Sequence, residues 1–284
     1  MHRRLLLIHA ALVVSLGRPA SAAPAAAEPT TAAEAAAKAQ AAEKKAAREA
    51  AVAAKYEAWV ATLPPAHQAW ERVLQANLGS FYLPAHQADK VAGKPNAWDY
   101  VADDPSLPRV LLIGDSVSRG YTLATRAALS GRANVHRAPE NCGGTARALA
   151  KLDVWLGDGR WDVIHFNFGI HDRGTPADEY GKRLERIVAR LQQTGARLVW
   201  ASTTPIPDDP AQKQTAASIV ERNRAAAAIM QRHGIPVDDI FSAVSPRVDE
   251  LRLPPPNVHF TEAGYEFLGR QVAASLLGQL PRRP

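Results

Sequence analysis

From Arg109 to the end of the chain, short apolar runs alternate with longer stretches of helical pattern. The apolar runs fall at residues 110–113, 133–136, 163–166, 197–201 and 235–237. Each run has the length of a buried strand and is followed by a helical stretch or a turn. This alternation predicts a parallel sheet with helices on both faces. We therefore expect a flavodoxin-like three-layer α/β/α domain with a five-stranded parallel sheet over residues 109–284.

The first 22 residues have the pattern of a secretory signal peptide. Arg3 and Arg4 form a charged start, residues 5–16 are mostly apolar, and Ala20-Ser21-Ala22 matches a small-residue cleavage site. The alternative is an uncleaved anchor, but the apolar run is too short to span roughly 30 Å of hydrocarbon. We expect a secreted or periplasmic protein with no stable membrane insertion after signal cleavage.

Two further segments precede the sheet. Residues 23–55 are mainly alanine with scattered Glu, Lys and Arg, a composition that favours helix but offers little apolar surface to bury. We interpret this Ala-rich segment as a partly helical tether. Residues 56–108 form a helical and loop extension, with a helix expected over 67–78 and a loop over 83–108.

Charge and cysteine content exclude some functions. The net charge is +6, but half of it comes from Arg3, Arg4 and Arg18 in the first 22 residues. The remaining excess forms no basic stripe, so we expect no nucleic-acid partner. Cys142 is the only cysteine, which leaves no internal disulfide. No dinucleotide-binding or P-loop glycine pattern occurs, and no cofactor is expected.

A serine and a histidine stand where the partners of a nucleophilic pair would lie. Ser116 follows the first apolar run, at a strand-to-helix turn whose amides point at developing negative charge. His259 precedes the final helix. A serine needs a base to attack at neutral pH, and histidine is the usual base. Because ligands bind at the carboxyl ends of parallel strands, both residues can meet at that edge of the sheet.

Four short blocks resemble those of the SGNH (GDSL-like) hydrolase family, in the family's order. They are Gly114-Asp115-Ser116, then Asn141-Cys142-Gly143-Gly144-Thr145, then Gly169-Ile170-His171-Asp172, and finally His259 followed by Gly264-Tyr265. The resemblance covers residues 110–277 and leaves the N-terminal third outside it. It implies a serine esterase that works by acyl transfer and requires no metal.

The resemblance also implies roles for individual residues. Ser116 would be the nucleophile and His259 its base. The backbone N–H groups of Ser116 and Gly143 would form part of the oxyanion hole. His171 replaces the family's oxyanion asparagine and could donate a ring N–H, and Asn167 is the alternative donor.

The chain departs from the family at the catalytic acid. The family has an aspartate three residues before the histidine, and Pro256 occupies that position here. Asn257 is an uncharged candidate for orienting the ring of His259, whereas Asp249 and Glu250 lie further upstream. We expect a Ser-His dyad, or a triad whose acid the pattern does not identify.

The expected function is an exported serine esterase acting on a small-molecule or polysaccharide ester. Family analogy indicates deacetylation of a carbohydrate. The alternative is a non-catalytic carbohydrate- or envelope-binding protein on the same scaffold, which Pro256 favours. Two weaker hypotheses are a Cys142 nucleophile and a metal site built from His165, His171 and Asp172, whose spacing matches no zinc pattern.

Overall fold

A computed structural model describes residues 32–212 and 214–281. The predicted signal peptide, residues 1–22, and the first part of the predicted tether lie outside the described residues. The chain divides into two compact units, residues 1–47 and 48–284. In the first unit, residues 32–47 are helical. The second unit contains the sheet and all the residues discussed below.

The described helices and strands include the strand–helix alternation that the sequence pattern predicts over residues 109–238. They are α1 Ala32–Val60, α2 Pro65–Asn77, α3 Gly79–Val91, β1 Arg109–Ile113, α4 Ser116–Ala128, β2 Asn134–Arg137, α5 Thr145–Leu156, β3 Val163–Phe166, α6 Ala177–Gln192, β4 Arg197–Ala201, α7 Ala216–Arg232, β5 Val237–Asp238, α8 Ile240–Val244, α9 Val248–Leu251 and α10 Glu262–Leu277. No helix in the described part of the chain is both long enough and apolar enough to cross a membrane.

The strands pair in the order β2-β1-β3-β4-β5, and every pair is parallel. This is the flavodoxin-like order, so the predicted five-stranded parallel sheet is confirmed. The chain changes direction across the sheet between β1 and β3. The carboxyl ends of these two strands therefore border the crevice where ligands bind in such folds.

Helices cover both faces of the sheet because the strands are apolar on both sides. On one face, Leu111, Ile164 and Trp200 pack against α5, α6 and α7. On the other, Val110 and Leu112 pack against α4 and α10. Apolar burial on both faces is what an all-parallel sheet requires.

The N-terminal extension contains a helix where the sequence pattern predicts a loop. α3 continues to Val91 although Pro84 lies inside it, so the prediction of a loop from residue 83 is wrong. A proline removes one backbone donor and usually ends a helix. Here packing outweighs that loss, because Tyr82 and Leu83 lie against a small core that includes Trp98.

Candidate active site

The turn after β1 presents Ser116 at the first position of α4. Asp115 caps this helix, since its carboxylate accepts a hydrogen bond from the Val117 N–H at 2.9 Å. Gly114 is needed because a Cβ at that position would lie 2.6 Å from Ser118 Oγ. The serine hydroxyl is thus held at a helix N-terminus, where backbone amides favour negative charge.

A buried arginine stabilises this turn through hydrogen bonds. Arg137, the last residue of β2, is only 1% exposed. Its guanidinium donates to the carbonyls of Gly114 and Asp115 at 3.0 and 2.9 Å and to Ser118 Oγ at 2.5 Å. Sequence analysis missed this residue, although an arginine that ends an apolar strand is a signal for a buried polar role.

His259 lies within hydrogen-bonding distance of the nucleophile. Its Nε2 is 2.8 Å from Ser116 Oγ, and its Nδ1 is 2.8 Å from Asn257 Oδ1. The His259 backbone N–H donates to the same Asn257 oxygen at 2.9 Å. An amide oxygen only accepts, so Nδ1 carries the ring proton and Nε2 is free to accept from the serine hydroxyl.

Burial lowers the pKa of His259 below its usual range, and the neighbouring Arg119 and His171 act in the same direction. The negative charge of Asp115 opposes the shift. At neutral pH the ring is therefore neutral. A neutral imidazole with a free Nε2 is the form that a general base requires.

No nearby carboxylate takes the place of the family's aspartate among the described residues. Glu250 forms an ion pair with Arg247, and Asp249 lies 3.6 Å from Arg252. The side chain that contacts Nδ1 is the amide of Asn257. Of the predicted candidates for orienting the histidine, the structure brings only Asn257 to the ring.

Close helix packing brings the histidine to the serine. α10 begins after Thr261, whose Oγ1 accepts from the Gly264 N–H at 3.1 Å. One turn into this helix, the Tyr265 ring covers Gly120 of α4, and a Cβ on Gly120 would lie 2.0 Å from that ring. Tyr265 of the last sequence block, packed on Gly120, therefore helps to set the distance between the helix that starts with Ser116 and the one that follows His259.

Asp172 ties the second and third sequence blocks together. Its buried carboxylate accepts from the Thr145 N–H at 2.9 Å and from Thr145 Oγ1 at 2.6 Å. Thr145 is the first residue of α5 and follows Gly143 and Gly144. The aspartate thus caps α5 and anchors the loop that carries Gly143.

Ser116 and His259 line an open cavity of about 730 Å³. The described residues that line it are Phe81, Tyr82, Ser116, Arg119, Asn141, Ile170, His171, Arg173, Gln214, Pro254, Pro256, Asn257, Val258 and His259. Gly143 lines an adjoining cavity of about 290 Å³, and Asn141 and Tyr82 border both.

The two candidate oxyanion side chains lie in different places. His171 lines the cavity with Ser116. The Asn167 amide nitrogen instead donates to the Ala201 carbonyl at 2.7 Å and to Thr203 Oγ1 at 3.0 Å. Both its N–H groups are thus used in joining the ends of β3 and β4, which leaves His171 as the side chain that can reach a substrate.

The structure supports neither a Cys142 nucleophile nor a metal site built from His165, His171 and Asp172. Cys142 is fully buried, and burial raises the pKa of its thiol to about 12. Such a thiol is a poor nucleophile. The three candidate metal ligands point to separate partners, because His165 contacts Asp238 at 3.0 Å while Asp172 caps α5. Within residues 32–212 and 214–281, no group of three such side chains gathers around a common point.

The N-terminal extension supplies one wall of the cavity. Phe81 and Tyr82 of α3 line it, and the Phe81 side chain is 79% exposed. Their rings meet edge to face, with centroids 4.8 Å apart. Sequence analysis missed both residues, which fall between the helix predicted over 67–78 and the loop predicted over 83–108. The adjacent aromatics before a proline were the available signal.

A serine that donates to a free histidine nitrogen, at the carboxyl edge of a parallel sheet, places this chain among the serine hydrolases. Residues 112–267, more than half of the chain, match the family model of the GDSL-like lipases and acylhydrolases. The chain belongs to this family and is a serine ester hydrolase. No curated protein matches it.

Solved structures with this fold share little sequence with the chain. A lipase/acylhydrolase from Enterococcus faecalis is 17% identical with a TM-score of 0.55, covering 62% of this chain and 99% of its own. The acetyl xylan esterase AlAXEase is 14% identical with a TM-score of 0.52, covering 59% and 99%. Axe2, an acetylxylan esterase from Geobacillus stearothermophilus, is 16% identical with a TM-score of 0.52, covering 60% and 94%. At these identities the likeness establishes the fold.

Proposed function

We propose that this protein is an exported esterase that removes acetyl groups from a carbohydrate through an acyl-enzyme on Ser116. The observation that carries the proposal is the chain of two 2.8 Å contacts from Ser116 Oγ through the His259 ring to Asn257. It provides a nucleophile, a base in the required tautomer and a group that orients the base.

In the first half of the reaction, Ser116 Oγ attacks the ester carbonyl carbon and its proton passes to His259 Nε2. The tetrahedral intermediate then collapses as the imidazolium returns this proton to the oxygen of the leaving alcohol. In the second half, a water molecule loses its proton to Nε2 and attacks the acyl-serine. Acetate leaves, and the serine regains its proton.

The negative oxygen of each intermediate needs donors that are already in place. The Ser116 N–H belongs to the first turn of α4 and has no partner within that helix. We assign the Gly143 N–H and the His171 ring as the further donors. The Asp172 carboxylate holds the loop of Gly143, so it supports the oxyanion hole indirectly.

Asn257 orients His259 without offering it a negative charge. In the serine proteases, replacing the corresponding aspartate by asparagine costs about 10⁴ in kcat, partly because the wrong tautomer results. Here the backbone N–H of His259 keeps the Asn257 oxygen facing the ring. The tautomer is therefore correct, and the missing contribution is charge stabilisation of the imidazolium alone.

The carbohydrate assignment rests on the cavity. Its described lining includes the polar side chains of Asn141, Gln214 and Asn257, with the exposed Phe81 ring at one side. Polar groups suit the hydroxyls of a sugar, and an aromatic ring suits its apolar face. Two solved structures with this fold are acetylxylan esterases. Export rests on the signal-peptide pattern of residues 1–22.

The first experiment measures the intact mass after exposure to a fluorophosphonate probe. We expect one adduct on the wild type, none on Ser116→Ala and slow labelling of His259→Ala. Ser130→Ala is the matched control, because Ser130 is an exposed serine in the turn after α4. A folded wild type that stays unlabelled would overturn the proposal.

The second experiment measures acetate released from acetylated xylan and from 4-nitrophenyl acetate. We expect release from both, and none with Ser116→Ala. Esterase activity confined to the aryl ester would contradict the carbohydrate part and leave the serine mechanism intact. The predicted leader is checked separately, since export with cleavage after Ala22 leaves a mature chain that begins at Ala23.

A further inference from the structure

The cavity of Ser116 is positively charged. Its described lining includes two arginines, Arg119 and Arg173, and contains no aspartate or glutamate. A cleft lined with charge of one sign concentrates ligands of the opposite sign. The two arginines are therefore the feature of this site that the ester-hydrolysis mechanism leaves unused.

Arg173 is held at the cavity without a carboxylate partner. Its Nη1 donates to the Ile170 carbonyl at 2.8 Å, which fixes the side chain near the end of the third sequence block. Within the described part of the chain, it forms no ion pair within 4.0 Å. A guanidinium has five N–H donors, so this one bond leaves donors for a ligand.

Arg119 lies against two aromatic rings instead of an acid. Its guanidinium carbon is 5.5 Å from the centroid of Tyr82 and 5.7 Å from that of Trp98. Its Nε is buried with no hydrogen-bond partner in the described structure. Stacking of this kind orients the planar group and leaves its edge for a carboxylate.

Elsewhere on this protein, several arginines have acidic partners. Acidic partners contact the arginines of the helices and loops, in the pairs Arg147–Glu140, Arg183–Glu179, Arg190–Asp153, Arg232–Glu185 and Arg247–Glu250. The nearest carboxylate to the cavity histidines is Asp115, which is buried, caps α4 and lies 4.0 Å from His171. The described lining of the cavity thus carries two arginines and no carboxylate.

We propose that the ester substrate is an acetylated acidic sugar, whose carboxylate is bound by Arg119 and Arg173 while its acetyl group faces Ser116. The inference rests on the proposed function. Because an acetyl group carries no charge, the negative group belongs to the alcohol half of the ester. A guanidinium binds a carboxylate through two parallel N–H donors, a geometry suited to selecting one sugar class.

The test compares two small esters that differ in one charge, 4-acetoxybenzoate and its methyl ester. In Arg173→Gln we expect kcat/KM for the anion to fall about tenfold while that for the methyl ester stays within about twofold. Arg173→Lys should retain most of the activity on the anion because it keeps the charge. Arg190→Gln, which removes an exposed arginine of α6, is the matched control and should change neither rate.

The polymer experiment compares acetate released from acetylated polygalacturonate and from acetylated xylan. We expect the acidic polymer to be preferred, and we expect added salt to reduce the preference. Inhibition by sulfate is compared with inhibition by galacturonate, in order to distinguish a general anion site from a site for a sugar carboxylate. We expect galacturonate to inhibit more strongly.

Two outcomes are distinguishable. If the wild type hydrolyses both small esters and Arg173→Gln lowers both rates equally or neither, the acidic-sugar inference is wrong and the esterase stands. If neither ester is hydrolysed and Ser116 is not labelled, the proposed function fails, and this inference fails with it. A measured melting temperature for each variant separates loss of binding from loss of fold.

Discussion

Asn257 Oδ1 lies 2.8 Å from Nδ1 of His259 and also accepts the His259 backbone N–H at 2.9 Å. The side chain therefore orients the ring and selects its tautomer while remaining neutral. A carboxylate at the same position would add charge to this geometry. A single substitution at Asn257 can therefore measure what a catalytic acid would contribute at this position.

Asn257→Asp should increase activity. A carboxylate beside Nδ1 would stabilise the imidazolium of the transition state, and kcat/KM should rise roughly tenfold, since the site is exposed and partly screened. The same charge should raise the pKa of His259 and move the acid limb of the pH profile to higher pH. The measurement is kcat/KM for 4-nitrophenyl acetate across the pH range.

Asn257→Ala is the control for this substitution. It removes the acceptor for Nδ1–H, so the ring loses its fixed orientation and kcat/KM should fall. An aspartate variant with an unshifted acid limb would show that residue 257 does not act on the base.

The pH dependence of the wild type follows from the lowered pKa of His259. The neutral ring is the active base, so activity is lost as the pH falls through this pKa. Burial holds the pKa below the usual value of 6.5, and the acid limb of kcat/KM should have its midpoint below pH 6.5. A midpoint above that value would contradict the assignment of a buried, low-pKa His259 as the base.

Arg137→Met should slow the reaction and weaken the fold. It removes donors from the carbonyls of Gly114 and Asp115 and from Ser118 Oγ. Leaving buried groups unpaired should cost about 2–4 kcal/mol of unfolding free energy. As a positioning residue, Arg137 should affect kcat more than KM.

Two measurements separate these effects of Arg137. Urea denaturation gives the stability, and the rate of fluorophosphonate labelling well below the melting temperature reports on Ser116. Arg137→Lys should recover part of the labelling rate because it restores a donor. Normal labelling of a destabilised Arg137→Met protein would limit the residue to a structural role.

Asp172→Ala should destabilise the protein by about 1–3 kcal/mol, because the buried Thr145 N–H loses its acceptor. Activity should fall as well, since the loop of Gly143 is released. Asp172→Asn keeps one oxygen and should cost less. The matched control is Asp153→Asn, an exposed carboxylate paired with Arg190, which should change stability by less than about 0.5 kcal/mol.

Much of the fold could be predicted from local patterns. Five apolar runs with helical stretches between them specify a parallel sheet, because strand and helix periodicity are properties of neighbouring residues. Right-handed crossovers then fix the face of the sheet on which each helix lies once the strand order is known. α3 was mispredicted because Pro84 is a local signal for a break, whereas its packing beside Trp98 depends on residues more than ten positions away.

The sequence by itself determined the fold class, and it selected Ser116 and His259 as the candidate nucleophile and base through residue type and order on the elements. Only the tertiary structure decided which side chains support them. Contacts between distant segments place Arg137 under the turn of the nucleophile and Phe81 on the cavity wall. They also place His171 at the cavity and keep Asn167 away from it. Local sequence encodes secondary structure, but the partner of a buried donor is set by three-dimensional packing.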